Sequence, residues 1–128
     1  RYEDGALRGD VTNWSFTWGQ RGCGYLVSTV EDFWRWSEAI DNSDFLDGEA
    51  KEKWFAVAKD DYALGWCCKD IHETWAQYHD GAAPGARSYF ARFPYKDIMY
   101  VFFMNSFESG KAPEFELAAD LEKLLLAD

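Results

Sequence analysis

The chain has 128 residues and a formal net charge of -10, from 23 acids against 13 bases. That charge repels polyphosphate and anionic lipid, so no nucleic acid partner is expected, and no apolar run approaches the ~20 residues of a membrane span. Seven Trp, seven Tyr and ten Phe exclude intrinsic disorder and predict one aromatic core in a single domain, residues 1–128.

The opening "RYEDGALRGD" is neither a signal peptide nor a methionine start, which fits a processed chain or a fragment. Glycines at 5, 9, 19, 22 and 24 predict irregular covering structure over the first twenty-odd residues. Regular structure is expected from "STVEDFWRWSEAI", where Ser28 and Glu31 have capping-box spacing and Val30, Phe33, Trp34, Ala39 and Ile40 share a helical face. A shorter helix is expected after an Asp47 N-cap, with Trp54, Phe55 and Ala58 as its apolar side.

Four strand-like runs follow, "DYALGWCC", "TWAQYHDG", "ARSYFARF" and "IMYVFFMN", separated by the turn-like "KDIHE", "AAPG" and "PYKD". Connections this short predict an antiparallel meander. Ile98 to Met104 is apolar at every position, so it reads as an inner strand covered on both faces. Pro113 at the first helical position, followed by Leu117, Leu121, Leu124 and Leu125, predicts a closing helix over one face. The expected fold is α/β (α+β): an antiparallel sheet of three to four strands flanked by helices.

Cys23, Cys67 and Cys68 are too few for a disulfide framework and read as buried thiols. A zinc set of Cys67, Cys68, His72 and His79 lacks C-x-x-C spacing, and no metal or other cofactor is expected. A Cys-His hydrolase would need a thiolate-stabilising environment that nothing in the sequence supplies. His72, in polar "KDIHET", reads as solvated, and the acids of "DNSDFLDGE" read as helix caps rather than a calcium loop. The tryptophans read as core rather than a carbohydrate platform.

"GCGYLVSTVEDFWRW" (22–36), "YALGW" (62–66), "HDGAAPG" (79–85) and "MYVFFMNS" (99–106), in this order, resemble the C-terminal part of the serine β-lactamase and penicillin-binding protein-like family. Class C β-lactamases, DD-peptidases and esterases belong to that family. The resemblance implies the C-terminal portion of a hydrolase that cleaves an amide or ester through an acyl-serine, acting on a small-molecule or peptide acyl substrate. It places His79, Asp80 and Gly81 on the strand lining the active site. His79 would bond near the nucleophile or a substrate carboxylate, Gly81 would admit substrate, and the Ala82 N–H would help form the oxyanion hole. Asp80 would lie along the substrate, where Thr is common. The family's S-x-x-K and Y-x-N are absent from the chain, so no acyl-enzyme chemistry is expected of it alone. Family members are commonly exported, which implies the periplasm or the exterior. The alternative reading is a non-catalytic binding or self-assembly module, a homo-oligomer that covers exposed apolar surface.

Overall fold

The computed structural model describes residues 2–7, 18, 22–24, 26–42, 44–83, 85–108 and 110–127. Residues 8–17 and 19–21 of the expected covering segment, Tyr25 of the first family-like segment and Pro84 of the Pro-Gly turn lie outside them.

The architecture is α+β. Strands β1 (Tyr2–Glu3) and β2 (Ala6–Leu7) precede helices α1 (Val30–Asn42) and α2 (Gly48–Phe55). Strands β3 (Cys67–Ile71), β4 (Thr74–Ala83), β5 (Ala86–Phe93) and β6 (Ile98–Met104) follow, then β7 (Ser106–Phe107) and helix α3 (Pro113–Leu125). The expected meander is present as a four-stranded antiparallel sheet in the order β3-β4-β5-β6.

The sheet lies between helices because its strands alternate apolar residues on both faces. Ala76, Tyr89, Ala91, Phe93 and Tyr100 pack with Ala118, Leu121 and Leu126 of the α3 layer. On the opposite face Trp66, Cys68, Trp75, Phe90, Met99 and Val101 pack with Phe33 and Ile40 of α1 and Trp54 and Phe55 of α2. Tyr89 stacks on Tyr78 at 5.7 Å and on Phe102 at 5.8 Å, so one aromatic ladder ties three strands together across the α3 face.

Several expectations need correction. Asp4 and Gly5 both have positive φ and turn β1 back onto β2, as an Asp-Gly pair favours, so the first residues include a small hairpin. Thr29 rather than Ser28 caps α1: its Oγ1 accepts from the Asp32 N–H at 3.1 Å. Val30 and Trp34 are half-exposed, and Ser37 and Ile40 form the buried line. The Asp47 cap is as expected, with Oδ1 accepting from the Ala50 N–H at 2.7 Å, but Ala58 lies beyond the end of α2 and is exposed.

The strand expected from Asp61 begins only at Cys67, because Lys59 to Tyr62 form a tight turn of their own. The connection after β3 shrinks to His72-Glu73, both at positive φ, with His72 exposed as expected. Ile98 to Met104 is covered on both faces, and among the described residues it is the last strand of its sheet, with no described strand on its outer edge.

Helix α3 buries a different line from the leucines. Glu114, Ala118 and Glu122 face the sheet, while Leu117, Leu124 and Leu125 stay partly or largely exposed. The two glutamates enter because partners await them: Glu114 meets Arg87 at 3.2 Å, and Glu122 accepts from the Tyr100 hydroxyl at 2.8 Å.

Candidate functional site

The site predicted around His79 is built at the distal half of β4. Strand β3 pairs with β4 only from Cys67↔Tyr78 to Ile71↔Thr74. Strand β5 pairs with β4 up to Ala83↔Ala86. From His79 onward β4 therefore has a neighbour on one edge, and no described strand on the other.

Which peptide groups face that open edge follows from the hydrogen bonds flanking β3. The Cys68 N–H donates to Asp61 O at 2.7 Å and the Ala63 N–H donates to Trp66 O at 2.8 Å, so these groups point away from β4. Backbone groups of successive strand residues point to opposite edges, so Cys67 and its partner Tyr78 face each other. Continuing the alternation, Asp80 and Ala82 direct N–H and C=O to the open edge, whereas His79, Gly81 and Ala83 face β5. The Asp80 carbonyl accords with this: it accepts from His79 Nδ1 at 2.6 Å rather than from β5.

Side chains alternate the other way, between the sheet faces. His79 lies opposite Phe90 and Gly81 opposite Ser88, on the α1/α2 face; Asp80 lies opposite Tyr89 and Ala82 opposite Arg87, on the α3 face. His79, Asp80 and Gly81 are half-buried and Ala82 is exposed. The structure thus gathers the four residues into one strand segment but separates the His79 and Asp80 side chains.

The imidazole is fixed at both nitrogens. A carbonyl oxygen only accepts, so Nδ1 carries a proton toward Asp80 O, and in the neutral ring Nε2 accepts from the Tyr62 hydroxyl at 2.7 Å. Tyr62 also packs edge-on against the ring, with centroids 5.7 Å apart. Tyr62 was marked in the sequence only by its place in "YALGW". The missing signal is the tight turn at 59–62, which brings residues 17 positions apart together.

Gly81 has an internal reason to lack a side chain. A Cβ there would sit 2.3 Å from Ser88 Oγ on the neighbouring strand. Ser88 shares the face with His79, but among the described residues no serine hydroxyl bonds to that imidazole. At the hairpin tip Arg87 Nη1 donates to Ala83 O at 3.2 Å and Ala86 O at 3.0 Å, and its Nε meets Glu114 at 3.2 Å. That clamp anchors the end of the open edge to α3.

The two cysteines of β3 do not supply a thiolate nucleophile. Cys67 faces the α3 side, where burial pushes its thiol above the ordinary range, the Tyr78 hydrogen bond opposes this, and Asp80 adds to it. Cys68 points to the opposite core, and burial pushes its thiol up to about 11. Both thiols are protonated at neutral pH. Cys23 is exposed, against expectation. With Cys67 and Cys68 on opposite faces the four-residue zinc set does not converge, and among the described residues no three His, Cys, Asp or Glu side chains assemble as a metal site.

No described helix is long and apolar enough to cross a membrane. Comparison of the chain with protein-family models, curated proteins and solved structures finds no match.

Proposed function

We propose that the distal half of β4 is a substrate-binding edge for an acyl compound, in the C-terminal portion of a β-lactamase-like or penicillin-binding protein-like serine hydrolase. In the complete enzyme an amide or ester would be cleaved through an acyl-serine, on a serine that this chain does not supply in S-x-x-K form. The observation that carries the reading is the edge from His79 to Ala83 on which no described strand pairs, with the Asp80 and Ala82 N–H groups directed into it. Strand amides are held in place before substrate arrives, so a donor there stabilises a developing oxyanion without reorganising. The His79 imidazole lies at the start of the same segment and would meet an incoming carbonyl or carboxylate by giving up its bond to Tyr62 or to the Asp80 carbonyl.

The test is an amide-resolved NMR titration with a soluble penicillin and with a phenylacetyl ester. Saturable shifts concentrated at the Asp80 and Ala82 amides are the expected result; shifts confined elsewhere, or none at all, would remove the support. An active-site serine label should leave the chain unmodified, and stoichiometric acylation of one serine would contradict the division of roles.

One observation favours a second reading, that of a self-assembling module. Helix α3 leaves Phe115, Leu117, Leu124 and Leu125 exposed, with Leu124 at 75%. Sedimentation equilibrium decides it: a dimer that becomes monomeric in Leu124→Glu supports assembly through α3, and a wild-type monomer rejects it.

A further inference from the structure

The open edge of β4 carries a charge that no described group neutralises. Asp80 lies within it, half-buried, with its side chain on the α3 face opposite Tyr89. Among the described residues its carboxylate has no hydrogen bond and no ion pair, since the His79 bond goes to its backbone carbonyl.

The cations on the same face of β3 and β5 are engaged elsewhere. Lys69 Nζ lies 5.5 Å from the centre of the Tyr78 ring. Arg87 Nη1 donates to the Ala83 and Ala86 carbonyls, and its Nε meets Glu114. Groups that resist gaining negative charge surround the carboxylate instead: burial pushes the Cys67 thiol and the Tyr89 hydroxyl up, and Asp80 adds to both shifts. A carboxylate withdrawn from water without a cation or donor gains from any ligand that brings one. A metal ion is not the cation called for, because among the described residues no three ligating side chains converge.

Strand geometry says which part of a ligand would meet that charge. The Asp80 N–H points into the open edge, so an extended ligand that accepts from it sets one of its own residues directly across from Asp80. Residues paired in this way project their side chains to the same face, with Cβ atoms ~5 Å apart, which brings the ligand's side chain beside the carboxylate. A cation at that place is attracted and a carboxylate repelled, and the net charge of -10 acts in the same sense at longer range. An apolar side chain there takes water from Asp80 and offers no partner in return. We infer, resting on the reading of β4 as a binding edge, that it selects acyl compounds bearing a cationic side chain of the lysine or arginine type, with Asp80 as the residue that determines the preference.

The experiment is an NMR titration of the Asp80 and Ala82 amides with three esters that differ in one side chain: the methyl ester of Nα-acetyl-L-lysine, that of Nα-acetyl-L-norleucine, and the α-methyl ester of Nα-acetyl-L-glutamate. The lysine ester is expected to saturate these shifts at roughly fivefold lower concentration than the norleucine ester, with the glutamate ester weakest and the lysine advantage shrinking in added salt. Asp80→Asn keeps the size of a side chain that makes no described hydrogen bond, and in this variant the lysine and norleucine esters should converge. Norleucine or glutamate esters binding as tightly as the lysine ester, or a lysine advantage that survives in Asp80→Asn, would overturn the preference while leaving the binding edge in place. Silence of both amides toward all three esters would remove the edge itself and the preference with it.

Discussion

The ion pair between Arg87 and Glu114 gives the sharpest test of the energetics, because its partners differ in exposure. Glu114 is 3% exposed and Arg87 18%, at 3.2 Å. At an effective dielectric of ~20 the attraction is about 5 kcal/mol, comparable to the cost of desolvating the two ions, so the pair as a whole contributes little net stability. Removing one partner is different, and the two removals are unequal. In Arg87→Met the Glu114 carboxylate stays buried, its Oε2 already without a partner among the described residues, so a loss of about 3 kcal/mol is expected. In Glu114→Leu the guanidinium keeps the Ala83 and Ala86 carbonyls and can turn toward water, so about 1 kcal/mol is expected. Arg87→Met/Glu114→Leu removes both charges from an interior site and should lie within ~1 kcal/mol of wild type, a coupling of about 3 kcal/mol. Denaturant unfolding followed by circular dichroism measures all four corners of the cycle. Additive losses, or a Glu114 variant weaker than the Arg87 variant, would refute the argument from burial.

Three further outcomes follow from local geometry. Thr29→Ala should destabilise by about 1 kcal/mol through loss of the α1 cap while Ser28→Ala does nearly nothing, as read by thermal melts. Glu73→Gly relieves one of two adjacent non-glycine residues at positive φ, and the same melts should show a gain of up to ~1 kcal/mol. A thiol reagent at neutral pH should modify Cys23 first, Cys67 slowly and Cys68 only on unfolding. The Cys68 thiol also makes stability pH-dependent. Its folded value of about 11 lies above the unfolded one, so its contribution is complete below the unfolded value and is lost as pH rises toward 11. Cys68→Ala should flatten that part of a pH-stability profile, and an unchanged slope would exclude the thiol as its source.

The meander was legible in the sequence because each strand carries its own period and its own turn residues. "ARSYFARF" became β5 without a change of boundary, and Asp47 capped α2 by the residue rule alone. Where sequence reading failed, tertiary partners had overridden it. The leucine stripe of α3 looked like its core face, yet Glu114 and Glu122 turn inward because Arg87 and Tyr100 wait on strands 22 or more positions away. Ser28 and Thr29 have the same capping chemistry with acids three residues on, so residue type does not choose between them. Seven apolar residues in β6 announce two covered faces, but face coverage says nothing about edges, since hydrogen-bonding groups point along the sheet rather than out of it.

That distinction between faces and edges also limits how far a sequence can describe the candidate site. His79, Asp80, Gly81 and Ala82 are readable as a strand, and the alternation of their side chains follows at once. Whether Ala82 or Gly81 presents its amide to an incoming carbonyl depends on the parity of the ladder. Here parity belongs to the register of β4 against β3 and β5, and it shows in two bonds remote in sequence, Cys68 to Asp61 and Ala63 to Trp66. A one-residue slip of β4 against both of its neighbours would exchange the amides at the open edge, leaving Gly81 to face it and Ala82 to face β5. The turn from Lys59 to Tyr62 holds the flank of β3 through those bonds and also carries the hydroxyl that fixes His79. That short turn therefore braces the outer edge of β3 and orients the imidazole, while the β4–β5 ladder holds the Ala82 amide, which is why a variant disrupting the turn should change the His79 tautomer and leave the Ala82 N–H on the open edge.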